Sequence, residues 1–231
     1  VIWQLHFLFN IKLPLNFNSP YKALNIRDFW RRWHITLGRF LTKYLYFPLG
    51  GSRAGKFKTY LNLMIVFLIS GLWHGAGWTF IFWGFLHGLA MVIHRIWVNL
   101  GFRMNKTLAW LITFIFVNFT WVFFRAESFS DALNIIKAMF GLNGIKAPHP
   151  KFDTIFSNFI HPASSGFIFS YKLYLWVILS FILVVGFKNS IEISYFKRNS
   201  YFYAIFCGLI FGFGVLLNLT STYSEFIYFN F

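Results

Sequence analysis

The chain has 231 residues, of which 58% are hydrophobic, 24% aromatic and only 12% charged; ordinary soluble domains carry about 25% charged residues. A soluble globule of this length has too little interior to hide 34 Phe, 10 Trp and 11 Tyr, because surface grows too fast relative to volume. Soluble enzyme folds are therefore largely excluded, and the chain is expected to live in a bilayer. A formal net charge of +15 is compatible with nucleic acid. In so apolar a chain it is better explained by the Lys and Arg excess on the cytoplasmic side of membrane proteins. A single cysteine, Cys207, excludes an internal disulfide and a cysteine-cluster metal site. The chain opens at Val1 without a charged leader or a small-residue cleavage site. No cleavable signal is expected, and the missing Met points to a piece of something longer.

From the N-terminus, residues 16–58 are expected to form a cytoplasmic interfacial region. Asn25 followed by Asp28 makes a capping-box-like start. From there Ile26, Phe29, Trp30, Trp33, Leu37, Phe40, Leu41 and Tyr44 recur at helical spacing. Arg31, Arg32, Arg39 and Lys43 fall largely away from that stripe. The pattern reads as one amphipathic helix whose basic face meets anionic lipid, with His34 at the stripe's edge. Gly50 to Lys56 has the spacing of a phosphate-binding loop, but Phe57 replaces the hydroxyl residue that would hold magnesium. It reads as a basic turn.

Tyr60 to His94 is apolar and too long for one helix, and Gly71, Gly75 and Gly77 interrupt it. Two pieces are predicted, roughly 60–72 and 76–94. At about 1.5 Å per residue the first would reach only about 20 Å, short of a core about 30 Å thick. The break is therefore expected inside the membrane, where irregular backbone must be buried in protein or line a wet cavity. Further spans are predicted at about 107–124, 171–187 and 201–219. Residues 1–58 hold ten Lys or Arg and one acid, and the loop 95–106 holds Arg95, Arg103 and Lys106 with no acid. Both are expected on the cytoplasmic side, so the broken stretch enters and returns. A short interfacial helix follows, with Ser130 as its cap and Gly141 as its stop. The irregular external loop 143–170 comes after it. The fold class is thus all-α, a polytopic helical membrane bundle with a broken intramembrane segment and interfacial helices, in a single domain over 1–231.

Within the break lies Gly71-Leu72-Trp73-His74-Gly75-Ala76-Gly77-Trp78. An ionisable side chain at bilayer depth is functional by default. A neutral imidazole there can act as a general base. Equally, it can be a hydrogen-bonded residue that holds the break together, and spacing does not separate the two. His87 and His94 share a helix face, but no Cys or carboxylate lies near to complete a metal set. They read as polar glue between helices, and no metal site is expected. Cys207 has no base partner in the sequence pattern, so thiol chemistry is not expected.

Several of these stretches together resemble the membrane-bound O-acyltransferase (MBOAT) family. Asn16-Phe17-Asn18-Ser19-Pro20-Tyr21 and Asp28-Phe29-Trp30-Arg31-Arg32-Trp33-His34-Ile35-Thr36-Leu37 carry the resemblance. So do Tyr44 to Arg53, Gly71 to Ala76, Trp83-Gly84-Phe85-Leu86-His87-Gly88 and Trp121 to Ala126. The likeness is dense from about 13 to 127, fades beyond 130, and is greatest to the bacterial alginate O-acetylation branch. Members of the family are roughly twice as long, and the chain is similar to their C-terminal half. The resemblance implies that His74 is catalytic and that His34 is the second signature residue. It implies an acyl group, acetyl in preference to longer chains, moved from a cytoplasmic thioester (acetyl-coenzyme A or an acyl carrier) across the membrane. The thioester is a co-substrate, and no bound cofactor is implied. The final acceptor would be an exported polysaccharide such as alginate, reached through a periplasmic acetyltransferase partner. The protein would sit among lipids in the bacterial inner membrane.

On that reading Trp73 and Trp78 wall a cavity around His74, and Arg31, Arg32 and Arg53 draw an anionic thioester to the cytoplasmic mouth. The alternatives are a transporter or channel, since broken helices also build transport sites, or an inactive scaffold. Nucleic acid is not expected as a partner.

Overall fold

The computed structural model describes residues 14–53, 55–143, 171–194 and 201–220. Among these every regular element is helical, as an all-α chain requires. The helices are α1 (Ile26–Arg32), α2 (Ile35–Leu41), α3 (Lys56–His74), α4 (Trp78–Asn99), α5 (Lys106–Arg125), α6 (Phe129–Met139), α7 (Tyr171–Gly186), α8 (Ser190–Ser194) and α9 (Tyr201–Thr220). The chain divides into two compact units, Asn16–Phe187 and a second made of 1–15 with 188–231. In the second unit the described elements are α8 and α9. Of the expected external loop over 143–170, residues 144–170 lie outside the described residues, as do the tail beyond 220 and the side chain of Cys207.

The larger unit is organised by the hairpin of α3 and α4. Its two arms run antiparallel through a tight crossing. A Cβ placed on Gly71 would lie 2.4 Å from the Phe80 carbonyl oxygen, and one on Gly84 would lie 2.3 Å from that of Phe67. Only glycine at both positions lets the two backbones touch. At the open end of the hairpin Asn99 donates to the Tyr60 hydroxyl at 3.5 Å. Helix α3 is longer than its apolar run predicts. It begins at Lys56 and has 19 residues, about 28 Å at helical rise. The break at 75–77 therefore follows an arm almost as long as the hydrocarbon core is thick, and does not cut a short arm at its middle. Among the described helices α4 and α5 are long and apolar enough to cross a bilayer.

Helix α5 packs on α4 and α1 packs on α4, while Ile26 and Phe29 of α1 also meet Val117 of α5. One apolar cluster joins Ala23, Ile26, Phe29 and Val117; a second joins Trp83, Phe123, Ala126 and Ala132. Asn25 caps α1 by accepting from the Asp28 amide at 2.8 Å. Asn105 caps α5. Helix α6 is capped by Ser128, not by the expected Ser130, because only Ser128 stands three residues before the amide it accepts, that of Asp131. Gly141 ends that stretch at φ 72°, the left-handed conformation that stops helices.

The predicted single helix over 26–44 is two helices, the second continuing past Leu41 as a π turn over Thr42–Tyr46. Helix α1 ends at Arg32, and His34 takes a left-handed conformation (φ 44°, ψ 53°) before α2 begins. The extended stretch 16–18 holds this corner open. The Asn18 amide donates to the Arg32 carbonyl at 2.8 Å, and the Ile35 amide to the Asn16 carbonyl at 2.9 Å. The Asn16 side-chain oxygen accepts from both the amide and the hydroxyl of Thr36, at 3.1 and 2.8 Å. Backbone groups freed by the break thus find partners in the preceding segment.

Candidate active site

Two breaks, far apart in sequence, bring two imidazoles to one indole. His74 is the last residue of α3, and His34 is the corner between α1 and α2. The Trp73 ring lies 4.8 Å from the His74 ring and 6.4 Å from the His34 ring, edge-on to both. Trp83 and Phe124 complete a cage around His74, at 5.3 and 5.0 Å and again near perpendicular. Phe17 flanks His34 at 6.2 Å. The Nδ1 atom of His34 is buried and reaches no other residue. Burial pulls the His34 imidazole below its ordinary range, opposed by a contact with its own backbone carbonyl, because desolvation penalises the charged ring. A ring held neutral in this way can accept a proton or a hydrogen bond.

Beneath the cage lies a polar hub, His87, whose side chain is fully buried. Trp30 Nε1 donates to its Nδ1 at 3.2 Å, and Thr120 Oγ1 lies 3.0 Å from its Nε2. An indole nitrogen can only donate, so Nδ1 is the acceptor. Thr120 spends its own proton on the Val117 carbonyl at 2.8 Å. The remaining bond must therefore run from His87 Nε2–H to the Thr120 oxygen, which makes the ring neutral with its proton on Nε2. The hub ties α1, α4 and α5 together. It bears out the reading of His87 as interhelical glue, although its partners Trp30 and Thr120 carry no signal in the sequence beyond helical phase.

The other singled-out residues fall in different places. Trp73 is 60% exposed and forms one wall beside both imidazoles. Trp78 is 75% exposed and makes no described ring contact with His74. Arg32 pairs with Asp28 at 2.8 Å and reaches the Asn18 carbonyl at 3.4 Å, so it braces the corner that presents His34. Arg31 and Arg53 are exposed. Arg53 sits beyond a turn at Gly50 and Gly51, whose flanking carbonyls, those of Leu49 and Gly51, both accept from the Asn62 side chain at 3.0 Å. This builds a surface turn and no phosphate cradle. A groove of about 580 Å³ opens elsewhere, between α4 and α5 beside residues 24–26. Among the described residues no three His, Cys, Asp or Glu side chains gather as a metal site would require.

A helical membrane chain with a histidine caged at a helix break is the class that fold and site define. The family model "MBOAT, membrane-bound O-acyltransferase family" matches residues 7–129, more than half of the chain, and the chain belongs to that family. It is 48% identical to a peptidoglycan O-acetyltransferase of Helicobacter pylori over 96% of this chain and 44% of that protein. It is also 48% identical to a protein described as a "probable alginate O-acetylase AlgI" of Pseudomonas aeruginosa, over 54% of this chain and 24% of that one. A teichoic acid D-alanyltransferase of Bacillus subtilis matches at 29% over 53% of this chain and 35% of that protein. The chain spans less than half the length of these relatives and matches their C-terminal part. The likeness to the peptidoglycan relative does not fade at 130, in contrast to the expectation from motifs alone.

Proposed function

We propose that this chain carries the catalytic part of a membrane O-acyltransferase that takes an acetyl group from a cytoplasmic thioester and passes it across the membrane to an exported polysaccharide. The observation that carries the reading is the meeting of His34 and His74 on Trp73. Acyl transfer between a thioester and a hydroxyl needs a base beside a site closed to bulk water. His74 takes the acceptor's proton. His34, with an unpartnered buried nitrogen, positions the acceptor hydroxyl or the donor. Arg31 and Arg53, exposed at the basic end, attract an anionic thioester such as acetyl-coenzyme A or an acetylated carrier.

Peptidoglycan is favoured over alginate as the final acceptor, since the peptidoglycan relative is similar along 96% of this chain and the alginate one along 54%. A periplasmic acetyltransferase would complete the transfer, and the protein would reside in the bacterial inner membrane. The test is His74→Ala in the full-length protein at wild-type membrane levels. Envelope polysaccharide O-acetylation and thioester turnover should both fall to background. Full activity in that variant would refute the reading, and movement of solute without acyl transfer would favour a transporter.

A further inference from the structure

Two hydrogen-bond donors beside His74 are buried and spent on nothing. Trp83 is 3% exposed and Ser70 is 1% exposed. Neither Trp83 Nε1 nor Ser70 Oγ has a hydrogen-bond partner. The contrast with similar groups in the same unit is direct. The indole of Trp30 donates to His87, and that of Trp110 donates to the Tyr21 carbonyl at 2.8 Å. The buried hydroxyls of Thr59, Thr113 and Thr120 each donate to a carbonyl one turn back. An unsatisfied buried donor is costly, so its persistence at two places on the facing helices of the hairpin calls for an occupant.

The two donors flank His74. Ser70 stands four residues before it on α3, on the same helix face. The Trp83 ring contacts the His74 ring at 5.3 Å. Ser70 and Trp83 are also the chain neighbours of Gly71 and Gly84, where the two helices touch. Both atoms are buried within this chain alone, so a segment laid over the outside of the hairpin does not reach them. An occupant of these donors has to be small and to enter on the side of His74, which both residues adjoin.

We propose that Trp83 Nε1–H and Ser70 Oγ–H form the oxyanion site of the transfer, receiving the carbonyl oxygen of the acyl thioester. This rests on the reading of His74 as the base. The acceptor hydroxyl oxygen bonds to the carbonyl carbon, and its proton passes to the His74 imidazole. The carbonyl π pair moves onto oxygen, where the two donors meet it. Collapse restores the C=O bond and breaks C–S, and the imidazolium returns its proton to the departing thiolate. Ester and thiol leave, with no other reactant needed. Donors held ready for charge that develops only in the transition state act on turnover and hardly on ground-state binding.

The experiment uses the full-length protein in proteoliposomes with two probes, acetyl-coenzyme A and an acetylated acyl carrier protein, following thiol release and labelled acetyl transfer. Trp83→Phe keeps an aromatic ring against His74 but deletes the N–H. Ser70→Ala deletes the hydroxyl. Each should lower kcat on the order of 100-fold with KM for the donor within about twofold, as expected when only transition-state stabilisation is lost. The thermal midpoint of Ser70→Ala should stay near wild type, while Trp83→Phe, which shrinks a core residue, should melt somewhat lower. Should Trp83→Phe fail to fold, benzothienylalanine at position 83 keeps the bicyclic shape without the N–H, and the same loss of kcat is expected. Turnover within threefold of wild type in both Ser70→Ala and the position-83 variant overturns the proposal, even if His74→Ala is inactive. An active His74→Ala, or a wild-type protein that turns over neither probe, overturns the reading beneath it as well.

Discussion

Placing a methyl group at Gly84 tests whether the hairpin's helices meet backbone to backbone. In Gly84→Ala the new Cβ would lie 2.3 Å from the Phe67 oxygen, 3.1 Å from its carbon and 3.3 Å from Gly71 Cα. All three are backbone atoms, so no rotamer change relieves the clash. Restoring van der Waals distance requires α3 and α4 to part by roughly 1 Å. Overpacking of this kind costs about 1–3 kcal/mol, while alanine returns up to about 1 kcal/mol of helix propensity. The net loss is therefore on the order of 1–2 kcal/mol. The clash runs from Phe67, about two turns before His74, to Gly71, and Gly84 adjoins Trp83 in the chain, so the separation also draws the His74 ring away from Trp83. The full-length protein in detergent should show a lowered thermal midpoint and a larger fractional loss of acetyl transfer. Gly88→Ala should be milder, since its nearest neighbour is the flexible Met64 sulfur at 3.0 Å. Gly212→Ala, with nothing within 4 Å, should match or exceed wild-type stability. If Gly84→Ala melted with Gly212→Ala, the tight crossing would be refuted.

Three further outcomes follow from the site. Thr120→Val keeps the shape but leaves the buried His87 Nε2–H without an acceptor, and should cost about 1–3 kcal/mol in equilibrium unfolding; no loss would contradict the assigned tautomer. Asn16→Ala removes the acceptor of both Thr36 bonds and should reduce transfer more than it reduces the melting midpoint, because the freed corner is the one that holds His34. Acidification should destabilise the protein as pH falls below the ordinary imidazole value of 6.5. The His34 pKa is lowered in the native state, so the unfolded chain binds more protons there and stability rises with pH. Melting curves across pH 5–7.5 should be flatter for His34→Gln than for wild type, and equal slopes would count against the buried placement of that ring.

Gly75 and Gly77 made the break after His74 legible, while Gly71, read with them, lies inside α3 at the helix crossing. The break at His34 was not legible. No glycine or proline marks it, and the apolar stripe keeps its phase from Ile26 to Tyr44, so periodicity reads straight through. What opens the corner is a tertiary clamp, the bonds from Asn16 and Asn18, and helical phase carries no trace of such bonds. The start of α3 was missed for another reason. Lys56 and Lys58 fall outside any apolar window, yet a helix does not need apolar residues in its first turn. His87 was legible in kind, as a histidine amid apolar residues in a helix, while the identity of Trp30 and Thr120 as its partners depends on how three helices stack.

On the proposed role of His34, its left-handed conformation sets the needs of the fold against those of the chemistry. Backbone at φ 44° suits glycine better than any branched residue. Repeated selection for heat resistance alone would drift toward a smaller side chain at that corner and discard an imidazole. A hardier but idle variant should thus be reachable by one codon's worth of change in an otherwise unaltered protein, and engineers seeking a robust catalyst would have to hold this position fixed and look for gains elsewhere.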